Sequence, residues 1–124
     1  MCRFRETTFE LLGGVTELNF NKLKWGDDGV VQLAVVLPLC AKLTKLELEI
    51  NQVGDRGAAA LAGAIKGNSA LTVLRLADNQ ISDAGAAALA DALRVNGALT
   101  ALYLSNNQIS GDSKSKLRTN VMSL

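Results

Sequence analysis

The sequence contains no histidine, one proline and two cysteines among its 124 residues, and only 4% of it is aromatic. Without histidine it lacks the commonest general base and the commonest metal ligand. We therefore predict a protein with no enzymatic activity, no catalytic or metal site and no cofactor. Two cysteines make no disulfide framework, so Cys2 and Cys40 are expected to be free thiols in a reducing cytoplasm.

An excess of charge of one sign is also lacking, since 13 basic and 12 acidic residues leave a net charge of +1. A nucleic-acid-binding protein usually carries a basic stripe, and the absence of one predicts no nucleic-acid partner. No apolar run is long enough for a signal peptide or a membrane span, because Gln32 and Pro38 interrupt the longest one. We expect a single globular domain in the cytoplasm, with no membrane association.

What the sequence does contain is a repeat, because leucine recurs every 28 residues at Leu18, Leu46, Leu74 and Leu102. Residues 43–70 and 71–98 align without a gap and are identical at 16 of 28 positions. Fixed periods of this length are typical of stacked repeat proteins. The predicted organisation is an N-terminal half-repeat or cap at 1–14, three repeats at 15–42, 43–70 and 71–98, and a final repeat with a C-terminal cap at 99–124.

Each repeat changes its hydrophobic period partway along. It begins LxxLxLxxN, where alternating leucines such as Leu46 and Leu48 predict a short strand with one buried face. It continues with leucines four residues apart, such as Leu89 and Leu93, among alanines, which predicts an amphipathic helix. Because helices are wider than strands, the stack must curve. We predict an α/β fold, a curved solenoid with parallel strands on its concave face and helices on its convex face.

The same asparagine recurs in three repeats, at Asn51, Asn79 and Asn107. Flanking apolar positions favour a buried ladder whose amides bond the backbone of adjacent turns, because a buried amide is costly without such bonds. Surface-loop asparagines are the alternative. At the helix starts, Gly54, Ser82 and Ser110 are expected N-caps, with Asp55 and Asp83 one place later as the other choice.

These motifs resemble the leucine-rich repeats of the ribonuclease-inhibitor-like class. The matching segments are LTKLELEINQVGDRG, LTVLRLADNQISDAG and LTALYLSNNQISGD, and the resemblance covers roughly residues 15–121. It implies the solenoid fold and a protein-binding function, without naming a ligand.

The first repeat departs from the pattern. Leu23 stands where the asparagine is expected, and Trp25 aligns with the core positions Val53 and Ile81. Trp25 is therefore expected to plug the first turn, and an exposed binding anchor is the alternative. Pro38 is expected to end the first helix, with Cys40 buried in the loop that follows.

The concave face is the candidate binding surface, because strand residues that alternate with buried leucines point out of the sheet. Its central column holds Asn19, Glu47, Arg75 and Tyr103. Arginine and tyrosine are the residue types that most often anchor interfaces. The predicted partner-binding residues are Glu47, Arg75, Tyr103, Lys45, Glu49 and Asp78.

We predict a non-catalytic protein–protein interaction module that binds a protein partner through its concave sheet. The protein is expected to be a monomer, with weak end-to-end association as a further expectation. Two alternatives stay open: a GTPase-activating protein resembling the Ran GTPase activator, and a fragment of the sensing array of a nucleotide-binding innate immune receptor. The sequence has no P-loop, so nucleotide binding would need another chain.

Overall fold

The computed structural model describes residues 14–96 and 98–110. The predicted N-terminal half-repeat and most of the predicted C-terminal cap lie outside these residues. The described part consists of four three-residue strands and three helices in alternation. The strands are β1 (Glu17–Asn19), β2 (Lys45–Glu47), β3 (Val73–Arg75) and β4 (Ala101–Tyr103); the helices are α1 (Asp27–Val36), α2 (Asp55–Lys66) and α3 (Asp83–Val95), with a 3₁₀ turn at Leu37–Leu39 after α1.

The four strands form one parallel sheet in chain order, and its register follows the sequence repeat. Leu18 pairs with Leu46, Leu46 with Leu74, and Leu74 with Leu102. Each helix lies between two consecutive strands in the chain, and α2 packs against both α1 and α3. The predicted α/β leucine-rich repeat solenoid is therefore confirmed.

The core lies between the sheet and the helices. Strand leucines such as Leu46 and Leu74 are fully buried, as are helix residues such as Leu61 and Ile65. Small residues fill the contacts between helices, because Ala58, Ala62 and Ala86 are also buried. Among the described residues, no helix is both long and apolar enough to cross a membrane.

The asparagine ladder is confirmed and joins consecutive repeats. The side-chain amide of Asn79 donates hydrogen bonds to the carbonyls of Leu48 (2.9 Å) and Leu76 (3.0 Å), one in each of two repeats. Its oxygen accepts a 3.0 Å bond from the backbone N–H of Val53. Asn51 makes the corresponding bonds to the first repeat, and Asn107 to the third.

The expected N-caps are wrong in one respect, because α2 and α3 are each capped by a carboxylate of the preceding repeat. Gly54 and Ser82 occupy the N-cap positions, but neither makes a side-chain bond to its own helix. Instead, Asp55 Oδ1 accepts bonds from the backbone N–H groups of Ser82 (2.8 Å) and Gly85 (3.0 Å). Asp27 does the same for Gly54 and Gly57, and Asp83 accepts a bond from Ser110 N. The carboxylate sits at the N-terminus of the next helix, where the dipole favours negative charge.

A second asparagine contact, absent from the sequence analysis, lies beyond the helix ends. Asn96 follows α3, and its amide donates 2.7 Å bonds to the carbonyls of Ile65 and Asn68 in the preceding repeat. Its oxygen accepts bonds from the backbone of Ala98 and Leu99. Asn68 binds the turn of its own repeat in the same way, through Ala70 and Leu71.

The irregular first repeat agrees with its predicted features. The ring of Trp25 stacks on Phe20, with centroids 4.8 Å apart, and both pack against the core, which favours the plug over the exposed anchor. Helix α1 ends at Val36, before Pro38. Cys40 is fully buried, and burial raises the pKa of its thiol.

Candidate functional site

The central column of the concave face is in register. Asn19 pairs with Glu47, Glu47 with Arg75, and Arg75 with Tyr103 across the three strand junctions. Each is only partly buried or exposed, whereas the leucine that follows or precedes it in its strand faces the core. Parallel strands set neighbouring members about 5 Å apart. Glu47, Arg75 and Tyr103 are therefore held side by side by the backbone ladder.

Arg75 is the hub of the column. Its Nε donates a hydrogen bond to Glu49 at 3.2 Å, and the same atom lies 4.0 Å from a carboxylate oxygen of Glu47. Its guanidinium carbon lies 4.5 Å from the centre of the Tyr103 ring, a cation–π arrangement. Both ion pairs include Nε of Arg75. The arginine side chain is 34% exposed and is ordered from three sides.

The two glutamates are fixed by further contacts. Glu47 lies 3.8 Å from the ammonium of Lys45 and accepts a bond from the amide of Asn21 at 3.3 Å. Asn21 also accepts a 2.7 Å bond from the backbone N–H of Glu49. The side chains of Glu47 and Glu49 are 17% and 20% exposed. The carboxylates thus serve mainly to hold Arg75 and Lys45, and half-burial of the pairs makes them less sensitive to salt than fully exposed pairs.

Asp78 stands apart from the other five predicted site residues. It lies in the turn after β3, at a positive φ of 59°, and its carboxylate accepts a 2.9 Å bond from the amide of Asn106. That bond repeats the 28-residue step along the rim of the sheet. Asp78 is exposed and belongs to the turn column rather than to the cluster around Arg75.

Small side chains surround the Arg75–Tyr103 pair. Val73 and Ala101 flank it on one side, and Ala77 and Ser105 follow it on the other. The Arg75 guanidinium and the Tyr103 ring are thus bordered by small side chains. The surface can accept a partner's apolar side chain beside Tyr103 and an acceptor group at the guanidinium.

The sequence predicts the column but not how its side chains interact. The 28-residue repeat specifies which residues are neighbours across strands. It was enough to predict that Glu47, Arg75 and Tyr103 lie in one column. The stacking of Arg75 on Tyr103 and the bridging amide of Asn21 depend on side-chain rotamers. The presence of a tyrosine next to an arginine in the aligned column is the sequence signal from which the stack could have been predicted.

Comparison with known families identifies the repeats. A family profile described as "Leucine Rich repeat" matches residues 39–62 and 67–90, and a second, described as "Leucine Rich Repeat", matches residues 98–119. The chain is therefore built of leucine-rich repeats. No curated protein matches the sequence.

Solved structures agree on the fold. The chain is similar to a structure titled "Leiomodin-1 Actin-Binding Site 2 (ABS2)", with a TM-score of 0.80 and 24% identity, covering 90% of this chain and 69% of that one. It is also similar to the tropomodulin C-terminal domain of Caenorhabditis elegans, with a TM-score of 0.77 and 18% identity, covering 90% of this chain and 72% of that one. At these identities the likeness establishes the fold alone.

Proposed function

We propose that this chain is a non-catalytic interaction module that binds a protein partner through its concave sheet. The observation that carries the proposal is the ordering of Arg75 by Glu47, Glu49 and Tyr103. An arginine on a solvated surface loses rotamer entropy when a partner binds it. One already held in place loses less, so more of the contact energy appears as affinity.

Arg75 offers its terminal nitrogens to a carboxylate or carbonyl of the partner, and Tyr103 offers apolar area with a polar tip. Glu47 and Glu49 hold the arginine, Lys45 pairs with Glu47, and Asp78 contributes from the rim. We infer that the whole of 1–124 acts as one domain in the cytoplasm, divided into repeats at 15, 43, 71 and 99, as its 28-residue period suggests.

We also infer the ribonuclease-inhibitor-like subclass. The 28-residue repeat supports it, as do the full α-helices of 12 and 13 residues in the second and third repeats. GTPase activation and membership of a longer sensing array are the alternatives. Measuring GTP hydrolysis by a panel of small GTPases, with and without this protein, separates activation from simple binding.

The test begins with actin, because a solved structure similar to this chain is titled as an actin-binding site. Co-sedimentation with actin filaments and anisotropy with labelled actin monomers measure the affinity. If actin does not bind, affinity capture and mass spectrometry supply the partner. Arg75→Ala with Tyr103→Ala is expected to remove about 2 kcal/mol or more of binding energy while the fold persists.

Arg94→Glu on the convex side is the matched control. Arg94 lies in the last turn of α3 and pairs with Asp91 at 2.7 Å, away from the sheet. It is expected to leave binding intact. Loss of binding in Arg94→Glu with retention in the double strand variant would overturn the concave-face proposal.

A further inference from the structure

Two large apolar side chains are exposed at the rim where the first two strands end. Leu23 is 48% exposed and Ile50 is 47% exposed. Leu23 occupies the place of the ladder asparagine in the first repeat, yet its side chain is not among the buried core residues. Ile50 directly precedes the ladder residue Asn51. Packing in the core therefore does not explain why either residue is apolar.

The backbone conformation in these two turns also makes it difficult to explain the residues by their contribution to stability. Ile50 has a φ of 58°, in the left-handed region that a β-branched residue strongly disfavours. The equivalent positions in the next two repeats hold Asp78 and Asn106, which are the types that tolerate this conformation. Lys22 and Lys24, on either side of Leu23, also have positive φ values of 62° and 59°. Strain of this kind tends to be kept where it serves function.

The two apolar residues lie in adjacent turns. The backbone N–H of Lys22 donates a 3.0 Å bond to the carbonyl of Glu49, and the N–H of Leu23 donates one to the Asn51 side chain at 3.0 Å. The segment 22–24 therefore runs along the turn that contains Ile50. We call Lys22, Leu23, Lys24 and Ile50 the rim patch.

The charge of the rim patch is positive. Lys22 and Lys24 are exposed, and neither forms an ion pair with another described residue. Glu49, which precedes Ile50 in the chain, is already bonded to Arg75. An exposed apolar pair between two unpaired lysines complements a surface with acids around an apolar side chain.

We propose that the rim patch is a second docking surface, separate from the Arg75–Tyr103 cluster, for an acidic amphipathic segment of a protein partner. Leu23 and Ile50 contact the apolar face of that segment, and Lys22 and Lys24 pair with its carboxylates. Docking buries the apolar surface that the free protein exposes to water. The unfavourable backbone at Ile50 is kept because an asparagine there would remove half of the apolar contact.

The probe is a synthetic amphipathic peptide with leucines on one face and glutamates on the other, titrated into the isotopically labelled full chain. Amide shifts are expected at residues 22–24 and 50, with no shifts at 75 and 103. Lys22→Glu with Lys24→Glu is expected to weaken binding by about tenfold or more at low salt, and Leu23→Ser by a similar factor. Peptides with glutamine for glutamate, or serine for leucine, should bind weakly.

Lys42→Glu with Lys66→Glu is the charge-matched control. Both lysines are exposed; Lys42 lies before β2, at the opposite edge of the sheet, and Lys66 ends α2. This variant should bind the peptide like the parent, and so should Arg75→Ala with Tyr103→Ala. Equal weakening by both lysine pairs would overturn the proposal, as would undetectable binding or shifts centred on 75 and 103. Self-association that depends on Leu23 and competes with the peptide would show that a second copy occupies the patch, which would also overturn it.

Discussion

Oδ1 of Asp55 lies 3.0 Å from the backbone nitrogen of Gly85, the third residue of the helix in the next repeat. A Cβ atom at Gly85 would lie 2.7 Å from that same oxygen and 2.8 Å from a methyl carbon of Ile81. The absence of a side chain at Gly85 therefore makes room for the cap. The same relationship joins Asp27 to Gly57 one repeat earlier, at the same 3.0 Å.

Gly85→Ala is expected to destabilise the protein even though alanine favours helices. The added methyl group must displace Asp55 or Ile81, which we expect to cost about 1–3 kcal/mol. The control is Gly63→Ala, in the middle of α2, where an added Cβ meets nothing within 4 Å. That change should stabilise by about 0.5–1 kcal/mol. Urea denaturation measures both; two changes of the same sign would contradict the close approach.

Asp55 should make stability depend on pH. The hydrogen bond from the Ser82 hydroxyl lowers the pKa of Asp55, and backbone bonds from Ser82 and Gly85 lower it further against the opposing effect of burial. Because the folded-state pKa is below the unfolded one, the contribution is complete above the unfolded pKa. It is lost as pH falls through the folded pKa.

Asp55→Asn removes this titration while keeping the shape of the side chain. At neutral pH it should cost about 1 kcal/mol, as loss of a helix cap does, and the difference from the parent should shrink as the pH falls to about 3. Asp91→Asn, an exposed residue of α3, is the control and should show little change. Denaturation midpoints across this pH range decide the matter, and a constant gap between Asp55→Asn and the parent would refute the linkage.

Asn79→Ala should lower the free energy of unfolding, because it removes one member of the asparagine ladder. It leaves the N–H of Val53 without its partner, and the carbonyls of Leu48 and Leu76 keep only their bonds from Asn51 and Asn107. The expected cost is about 1–3 kcal/mol. Gln80→Ala is the matched control, because this neighbouring side chain is exposed. Asn106→Ala is a poor control, since Asn106 has a φ of 57° and alanine would add strain. Equal midpoints for the Asn79 and Gln80 variants would argue against a structural ladder.

Ile50→Asn should stabilise the protein. Asparagine tolerates the left-handed conformation, so we expect a gain of about 0.5–1 kcal/mol, while Ile50→Ala should gain less. Thermal unfolding of the two variants separates relief of strain from mere removal of an exposed apolar side chain. If the rim patch binds as proposed, Ile50→Asn will be more stable and will bind the acidic peptide less well. Destabilisation by Ile50→Asn would mean that the isoleucine has a packing role.

The fold could be predicted because the repeat gives the strand register directly. Leu18, Leu46, Leu74 and Leu102 are 28 residues apart, and the structure pairs them in that order. The same spacing predicted the asparagine ladder and the column that contains Arg75 and Tyr103. The 28-residue period was therefore enough to predict which residues are neighbours across the strands.

The sequence did not predict the contacts that depend on the direction in which a side chain points. The capping rule is local, so Asp55 was expected to serve its own helix; in the structure its carboxylate turns to the next one. Arg75, which stacks on Tyr103, is also bonded to Glu49, and Glu49 lies outside both strands. The left-handed turn at Ile50 was within reach, because Asp78 and Asn106 at the aligned positions are typical of it.

The cross-repeat bonds have a consequence for changes in chain length. Asn79 reaches back 31 residues to Leu48, and Asp55 reaches forward 30 residues to Gly85. Each such bond spans one repeat boundary, and a copied repeat inserted at a boundary would find the same donors and acceptors on both sides. An inserted segment that stacked between two repeats without these donors and acceptors would lose both kinds of bond at that boundary. This architecture can therefore grow or shrink by whole units of 28 residues, because every unit carries the same donors and acceptors.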